Sequence, residues 1–294
     1  MSPERALEVL EPGPLTTVQD RGRPGRAHLG VPPSGALDRP AAELANRLVG
    51  NPGGSAVLET TLTGPLLRVR ADSGVLLAVT GAPVELHVDG RLHDARAAVW
   101  APAGSEVRVG TCTAGMRSYL AVRGGIAVAP VLGSRSYDVL SGLGPAPLAE
   151  GDVLPVGTPE GSVPGVDHVA VEPGDAVPVL RVLPGPRDEW FADEAWDVLT
   201  GTDWEVSQDS NRVGVRLAGA PVPRRRTDQL PSEAVVTGSI QVPQDGQPVL
   251  FLADHPTTGG YPVIGVVDED DLPLAAQARP GTTLRFRLGT TSHR

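Results

Sequence analysis

A chain of 294 residues is long enough for two compact domains or one large β domain. Its net charge of −10 and isoelectric point near 5.1 disfavour nucleic acid or an anionic membrane as a partner. All 25 basic residues are arginine, so the chain offers no Walker lysine, no Schiff-base lysine and no lysine to carry biotin or pyridoxal.

In chain order, residues 7–10 read as an edge strand that ends at Pro12-Gly13-Pro14. Residues 15–26 come next, with Arg21, Arg23 and Arg26 interleaved among Gly and Pro. Such a stretch cannot be helical and suits a loop that presents guanidinium forks to a carboxylate or phosphate. An Arg-Asp network through Asp20 and Asp38 would explain the same residues without a ligand. Residues 30–38, which include Ser34, form a second rigid loop. A helix is expected over residues 39–49. Asp38 is the N-cap, Pro40 lies in the first turn, Leu37, Ala41, Leu44, Ala45, Leu48 and Val49 fall on one face, and Gly50 ends it.

From residue 56 to 122 the pattern is β: short apolar runs at 56–58, 66–69, 75–79, 84–88, 97–100, 107–109 and 119–122, each bounded by turn residues. Glu59-Thr60-Thr61 and Thr80-Gly81-Ala82 interrupt these runs and are candidates to line a pocket. Residues 145–178, rich in Pro, Gly and acids, read as a connector. The run 179–183 before Pro184-Gly185-Pro186 echoes residues 7–14 and suggests a second β unit. A short helix near 193–199, strands near 204–206 and 210–217, a helix near 272–277 and a last strand at 283–287 complete the pattern. Arg224-Arg225-Arg226 is the one basic cluster and reads as a solvated loop. The expectation is a mainly β protein with two barrel units, residues 1–165 and 166–294.

The chemistry-bearing stretch is 238–262. Strands at 240–242 and 249–252 flank a link containing Asp245-Gly246, a strong hairpin signal. The second strand runs into Asp254, His255, Thr257, Thr258, Gly259, Gly260 and Tyr261. The Gly pair would let backbone N–H groups converge as an anion-binding nest, although turn chemistry accounts for Thr-Thr-Gly-Gly equally well. Cys112 is the single cysteine, which excludes an intramolecular disulfide; its surroundings suit a buried thiol. His87 and His93 lie on one hairpin but lack the further ligands a zinc site needs. The P-loop, dinucleotide, nucleophile-elbow and HExxH motifs are absent. No leader pattern opens the chain and no apolar run reaches spanning length, so a soluble cytoplasmic protein is expected.

Residues 13–23, 30–32 with 34–38, 45–51, Leu58-Glu59, Gly64-Pro65, 78–82, 133–135, 212–217, and 240–243 through 257–262 occur in the order seen in one family. By these blocks the chain resembles the allophanate hydrolase subunit 2 family, also called biotin-dependent carboxyltransferase or KipA-like, which includes the C-type subunit of bacterial 5-oxoprolinase. The resemblance implies cyclophilin-like barrels and a subunit 1-like partner (the B component of 5-oxoprolinase), with a lactam-utilisation-type protein (the A component) as a third member. It implies ATP-dependent opening of 5-oxo-L-proline to L-glutamate, with ATP and Mg²⁺ used by the complex and no cofactor attached to this chain. Two alternatives stay open: the carboxyltransferase part of a biotin-dependent urea or amide carboxylase, and a KipA-like regulatory binding protein. Pro256 and Val263 depart from the family pattern, where many members carry Gln and Lys.

Opening an unactivated lactam by phosphorylating its carbonyl oxygen calls for phosphate ligands and a group that orients the lactam N–H. Arg21, Arg23, Ser34, Thr257, Thr258, Gly259 and Gly260 are the candidates to bind substrate. Asp254, Gln241 and Tyr261 are the candidates for catalysis. No residue is a candidate metal ligand.

Overall fold

Alternating side chains build the N-terminal half. In the strands Val57–Thr61, Val75–Gly81 and Arg117–Val122, Leu58, Val79 and Leu120 point to one buried face, and Val57, Ala78, Tyr119 and Ala121 to the other. Both faces are covered, so these strands carry almost no exposed residue. In the computed structural model, which describes residues 5–163, 165 and 177–289, the chain divides into two units. One comprises Met1–Arg23, Ser34–Asp138 and Gly142–Pro173. The other comprises Pro24–Pro33, Val139–Ser141 and Gly174–Arg294.

The first unit holds two antiparallel sheets around one aliphatic core. A five-stranded sheet runs in the order Thr16–Gln19, Val57–Thr61, Arg117–Val122, Val75–Gly81, Val99–Ala101. A six-stranded sheet runs Val153–Pro155, Arg5–Glu11, Leu66–Ala71, Glu106–Val109, Leu86–Val88, Arg91–His93. Leu7, Val9, Leu67, Val69, Val107 and Val109 from the second sheet meet Leu58, Leu77, Val79 and Leu120 from the first. Each such side chain contributes about 1.5–3 kcal/mol on burial.

The outer face of the five-stranded sheet carries the Arg39–Leu48 helix. Ala42 and Ala45 face Ala78 and Ala121, and these small residues let helix and sheet approach closely. The helix starts because Asp38 accepts a hydrogen bond from the Ala41 N–H at 3.1 Å and Pro40 sits in its first turn. It ends at Leu48, one residue before the expected end, with Gly50 at φ 73°. Asn46 is buried and donates to the Ser55 carbonyl at 2.8 Å.

The second unit closes on itself. Seven strands form a barrel in the order Val179–Pro184, Val263–Val267, Ser239–Gln241, Val249–Phe251, Gly214–Ala218, Trp204–Val206, Thr283–Leu288. Closure comes from the parallel pairing of its first and last strands, Val179 to Arg285 through Val182 to Leu288. Leu180, Trp204, Ile240, Leu250, Ile264 and Phe286 are buried within this unit. The chain is mainly β, and the Arg39–Leu48 helix is the longest among the described residues; the others, Ala195–Gly201 and Leu272–Ala276, are short.

Four readings of the sequence need correction. The Arg5–Glu11 strand is not an edge: Leu66–Ala71 pairs on one side and Val153–Pro155 on the other. The stretch expected as a connector, 145–178, therefore begins as part of the first unit; residues 164 and 166–176 lie outside the described residues, and so does the start of the expected second domain at 166. Within residues 15–26, Thr16–Gln19 is a buried strand and only the residues after it are loop. Among the described residues the Asp20 carboxylate does not hold the arginine side chains of its loop: it accepts from the Ser134 and Ser136 hydroxyls, both at 2.6 Å, and from the Arg135 N–H at 2.7 Å, while Asp38 caps the helix.

Candidate functional site

The Ser239–Gln241 and Val249–Phe251 strands form the expected hairpin, with Ile240 opposite Leu250 and Gln241 opposite Val249. Gly246 takes φ 76° in the link. Pairing of Val249–Phe251 with Gly214–Ala218 continues past both strand ends. The Leu252 N–H donates to the Val213 carbonyl at 2.9 Å and the Asp254 N–H to the Arg212 carbonyl at 3.2 Å. That extension sets the side chains of Arg212 and Asp254 beside each other.

Both are fully buried, at 1% and 0% exposure. Arg212 grips the carboxylate with two bonds, Nε to Oδ2 at 2.8 Å and Nη2 to Oδ1 at 3.1 Å. Oδ2 also accepts from the Val139 N–H at 3.0 Å. A carboxylate held in this way has its charge matched and its lone pairs occupied. Asp254 therefore faces an arginine.

Gln241 is 5% exposed and donates from Nε2 to the Tyr261 carbonyl at 3.0 Å. This bond fixes the amide plane and leaves Oε1 as an acceptor with no partner among the described residues. The Gly259 backbone lies against that amide: a β-carbon at residue 259 would stand 2.2 Å from Nε2. Gly259 is thus required by close approach, not by its φ. Neither Gly259 nor Gly260 has positive φ, and Thr258–Gly259 pairs as a short strand with Glu233–Ala234, so the turn is not the anion nest that Gly-Gly suggested. Arg187 holds Glu233 with a bond of 2.9 Å from Nε to Oε2, anchoring this ribbon. Thr258, Gly260 and Tyr261 are exposed, with Tyr261 at 45%, and Thr257 is half-buried. His255 is buried, its Nδ1 2.7 Å from the Pro256 carbonyl.

The first unit holds the other candidates. Arg21 is exposed and paired with Glu43 at 2.9 Å. Arg23 is 2% exposed and donates to the Ser136 carbonyl and, at 3.4 Å, to the Val131 carbonyl. Ser34 is buried with φ 54°, its hydroxyl donating to the Tyr137 carbonyl at 3.1 Å. Gln19 donates to that same carbonyl at 2.9 Å. Arg23, Ser34 and Gln19 thus converge on the Ser136-Tyr137 backbone.

Two partnerships escaped the sequence reading. Arg212, forty-two residues from Asp254, is the charge partner that a buried aspartate demands, but no local spacing points to it. Beneath the helix, Glu59 accepts from the Leu37 N–H at 2.9 Å and lies 3.5 Å from Arg117, while the Tyr119 hydroxyl accepts from the Asp38 N–H at 2.8 Å. Burial, then the nearby Glu59 and Asp38 carboxylates, hold the Tyr119 phenol neutral well above its ordinary value. Glu59 and Thr80, read as pocket-lining, divide: Thr80 lines a cavity, with its hydroxyl donating to the Ala41 carbonyl at 2.6 Å, whereas Glu59 belongs to this buried cluster.

The chain is 37% identical over 292 residues to the C-type subunit of 5-oxoprolinase from Escherichia coli, covering 95% of this chain and 90% of that protein. It is 33% identical to the urea amidolyase of Lachancea kluyveri, covering 96% of this chain but 17% of that protein. The solved structure of TTHA0988 superposes with a TM-score of 0.88 at 38% identity, covering 98% of this chain and 57% of that one. The Kluyveromyces lactis urea amidolyase superposes at 0.87 and 32% identity, covering 99% of this chain and 19% of the amidolyase. Residues 29–288 match the carboxyltransferase domain, subdomains A and B, and with relatives of this identity along nearly its whole length the chain belongs to that family.

Proposed function

We propose that this chain is a subunit of an ATP-dependent 5-oxoprolinase that converts 5-oxo-L-proline to L-glutamate. The observation that carries the reading is 37% identity spanning 90% of the C-type 5-oxoprolinase subunit of Escherichia coli, with a Haemophilus influenzae protein of the same name 31% identical over 90% of its length. The chain works with a subunit 1-like partner and a lactam-utilisation-type protein, as a cytoplasmic complex that consumes ATP with Mg²⁺. Among the described residues no helix is long and apolar enough to cross a membrane.

The residues of the second unit suit the orienting half of the chemistry. Gln241 Oε1 is a fixed acceptor for a lactam N–H, beside the Tyr261 carbonyl and the Gly259 backbone, and Tyr261 itself is exposed. Asp254 acts as a positioning residue: it holds Arg212 and the strand end from which His255 to Tyr261 depart. Arg21, Arg23 and Ser34 remain candidates on the first unit. There Arg21 is the solvent-facing guanidinium, and Arg23 and Ser34 shape the loop from within.

A second reading is supported by the family's own chemistry. The carboxyltransferase domain match and the urea amidolyase relatives favour transfer of a carboxyl group from carboxybiotin, with biotin carried on another chain, since this one has no lysine. The test is reconstitution with the cognate subunits, measuring glutamate formed from 5-oxo-L-proline and ATP. Glutamate production that requires this chain supports the first reading. Carboxybiotin-dependent turnover without glutamate replaces it with the second, and full turnover by the isolated chain overturns the dependence on partners.

A further inference from the structure

A cavity of ≈ 530 Å³ opens in the first unit beside the hairpin of Leu86–Val88 and Arg91–His93. One wall is apolar, made by Pro83, Val84 and Leu92, the last 63% exposed. The polar lining is Thr80, Glu85, His93, Asp94 and Arg96. The volume lies within the range of small-molecule sites, and an apolar wall with a few polar groups is their usual character.

Arg96 is the unusual member. Its backbone sits at φ 70°, a region that a long side chain occupies at a cost and that glycine would occupy freely. The Arg96 N–H donates to the Val79 carbonyl at 2.8 Å, and its Nη2 donates to the Gly81 carbonyl at 3.0 Å. Among the described residues no carboxylate pairs with its guanidinium, which is half-buried and lines the cavity. With no carboxylate paired to it, the Arg96 guanidinium keeps donors of its planar fork for a ligand carboxylate. Across the same lining, the Glu85 side chain is 69% exposed, with His87 Nε2 3.8 Å from its Oε2. With Asp94 also in the lining, charges of both signs around an apolar wall match a zwitterion better than a simple anion, which Glu85 and Asp94 would repel.

We propose that this cavity binds a small α-amino acid with an apolar side chain, its carboxylate on Arg96, its ammonium on Glu85 and its side chain against Val84 and Leu92. The inference is independent of the proposed 5-oxoprolinase role, since none of these residues belongs to that site. The probes are L-valine, 3-methylbutanoate, which lacks the ammonium, and 2-methylpropylamine, which lacks the carboxylate. Isothermal titration of the full chain should show saturable binding of L-valine, with each truncated probe about tenfold weaker or worse. Arg96→Gly removes the guanidinium while suiting the backbone, so it should keep the melting temperature yet weaken L-valine binding about tenfold. Glu85→Gln should weaken L-valine while leaving 3-methylbutanoate unchanged or improved. Absence of saturable L-valine binding up to about 10 mM overturns the proposal. Equal affinity in Arg96→Gly, or 3-methylbutanoate binding as tightly as L-valine, does so as well.

Discussion

Asp254 and Gly259 show how single residues divide between holding the fold and shaping the site. Asp254→Asn preserves size but leaves the buried Arg212 charge without its counter-charge, an imbalance that costs about 3–5 kcal/mol. Chemical denaturation of the purified chain should show that loss. Unchanged stability with lost turnover would instead return Asp254 to a direct part in catalysis. Gly259→Ala works in the opposite sense. The new methyl meets only the end of the flexible Gln241 side chain, so the fold should tolerate it while the amide is displaced. We expect a near-normal melting temperature with turnover down about tenfold or more in the reconstituted complex. Normal turnover in this variant would remove Gln241 from the site.

At the scale of elements, two junctions carry testable energetics. The Asp38 N–H at the start of the helix is satisfied by the Tyr119 hydroxyl, and both groups are buried. Tyr119→Phe leaves that donor unpaired and should cost about 1–3 kcal/mol, read as a lower denaturation midpoint with little change in helical signal. In the barrel, Arg181 on the first strand binds Asp271 at 2.8 Å, and Arg285 on the last strand binds Asp203 at 2.9 Å. The hydrogen bonds and charge of Arg285 hold the Asp203 carboxyl below its ordinary value. Burial pushes the Asp271 carboxyl up, but the hydrogen bonds and charge of Arg181 outweigh it and leave the group lowered. A depressed folded-state carboxyl contributes stability that is present above the unfolded value near 4 and lost as pH falls through the folded one. Melting temperature should therefore hold from about pH 7 to 5 and fall below about pH 4, with a shallower fall in Arg285→Ala.

For the whole molecule, the decisive property is assembly. The 5-oxoprolinase relatives that this chain matches along nearly their whole length are named as subunits, so assembly is what a test must read. Co-expression with a subunit 1-like protein should give a complex that co-elutes on size exclusion and survives dilution. Separate elution of the two would argue for a free-standing binding protein. The mainly β architecture and the family membership hold in either case, because they rest on the strand pattern and on similarity along the whole chain.

Local pattern determined a large part of this protein. The Arg39–Leu48 helix, its Asp38 cap, the hairpin at Asp245-Gly246 and most strands of residues 57–122 are set by periodicity and turn chemistry within a few residues. Partnerships between distant residues were another matter. That Val153–Pro155 covers the Arg5–Glu11 strand, that Asp254 meets Arg212, and that Arg23 clamps the Ser136 carbonyl depend on strand order and barrel closure. The Thr-Thr-Gly-Gly turn makes the point most directly. Its composition allowed a nest, but pairing with Glu233–Ala234 and the approach of Gln241 made it a strand, because a backbone takes whichever hydrogen-bond partner the tertiary fold brings within reach.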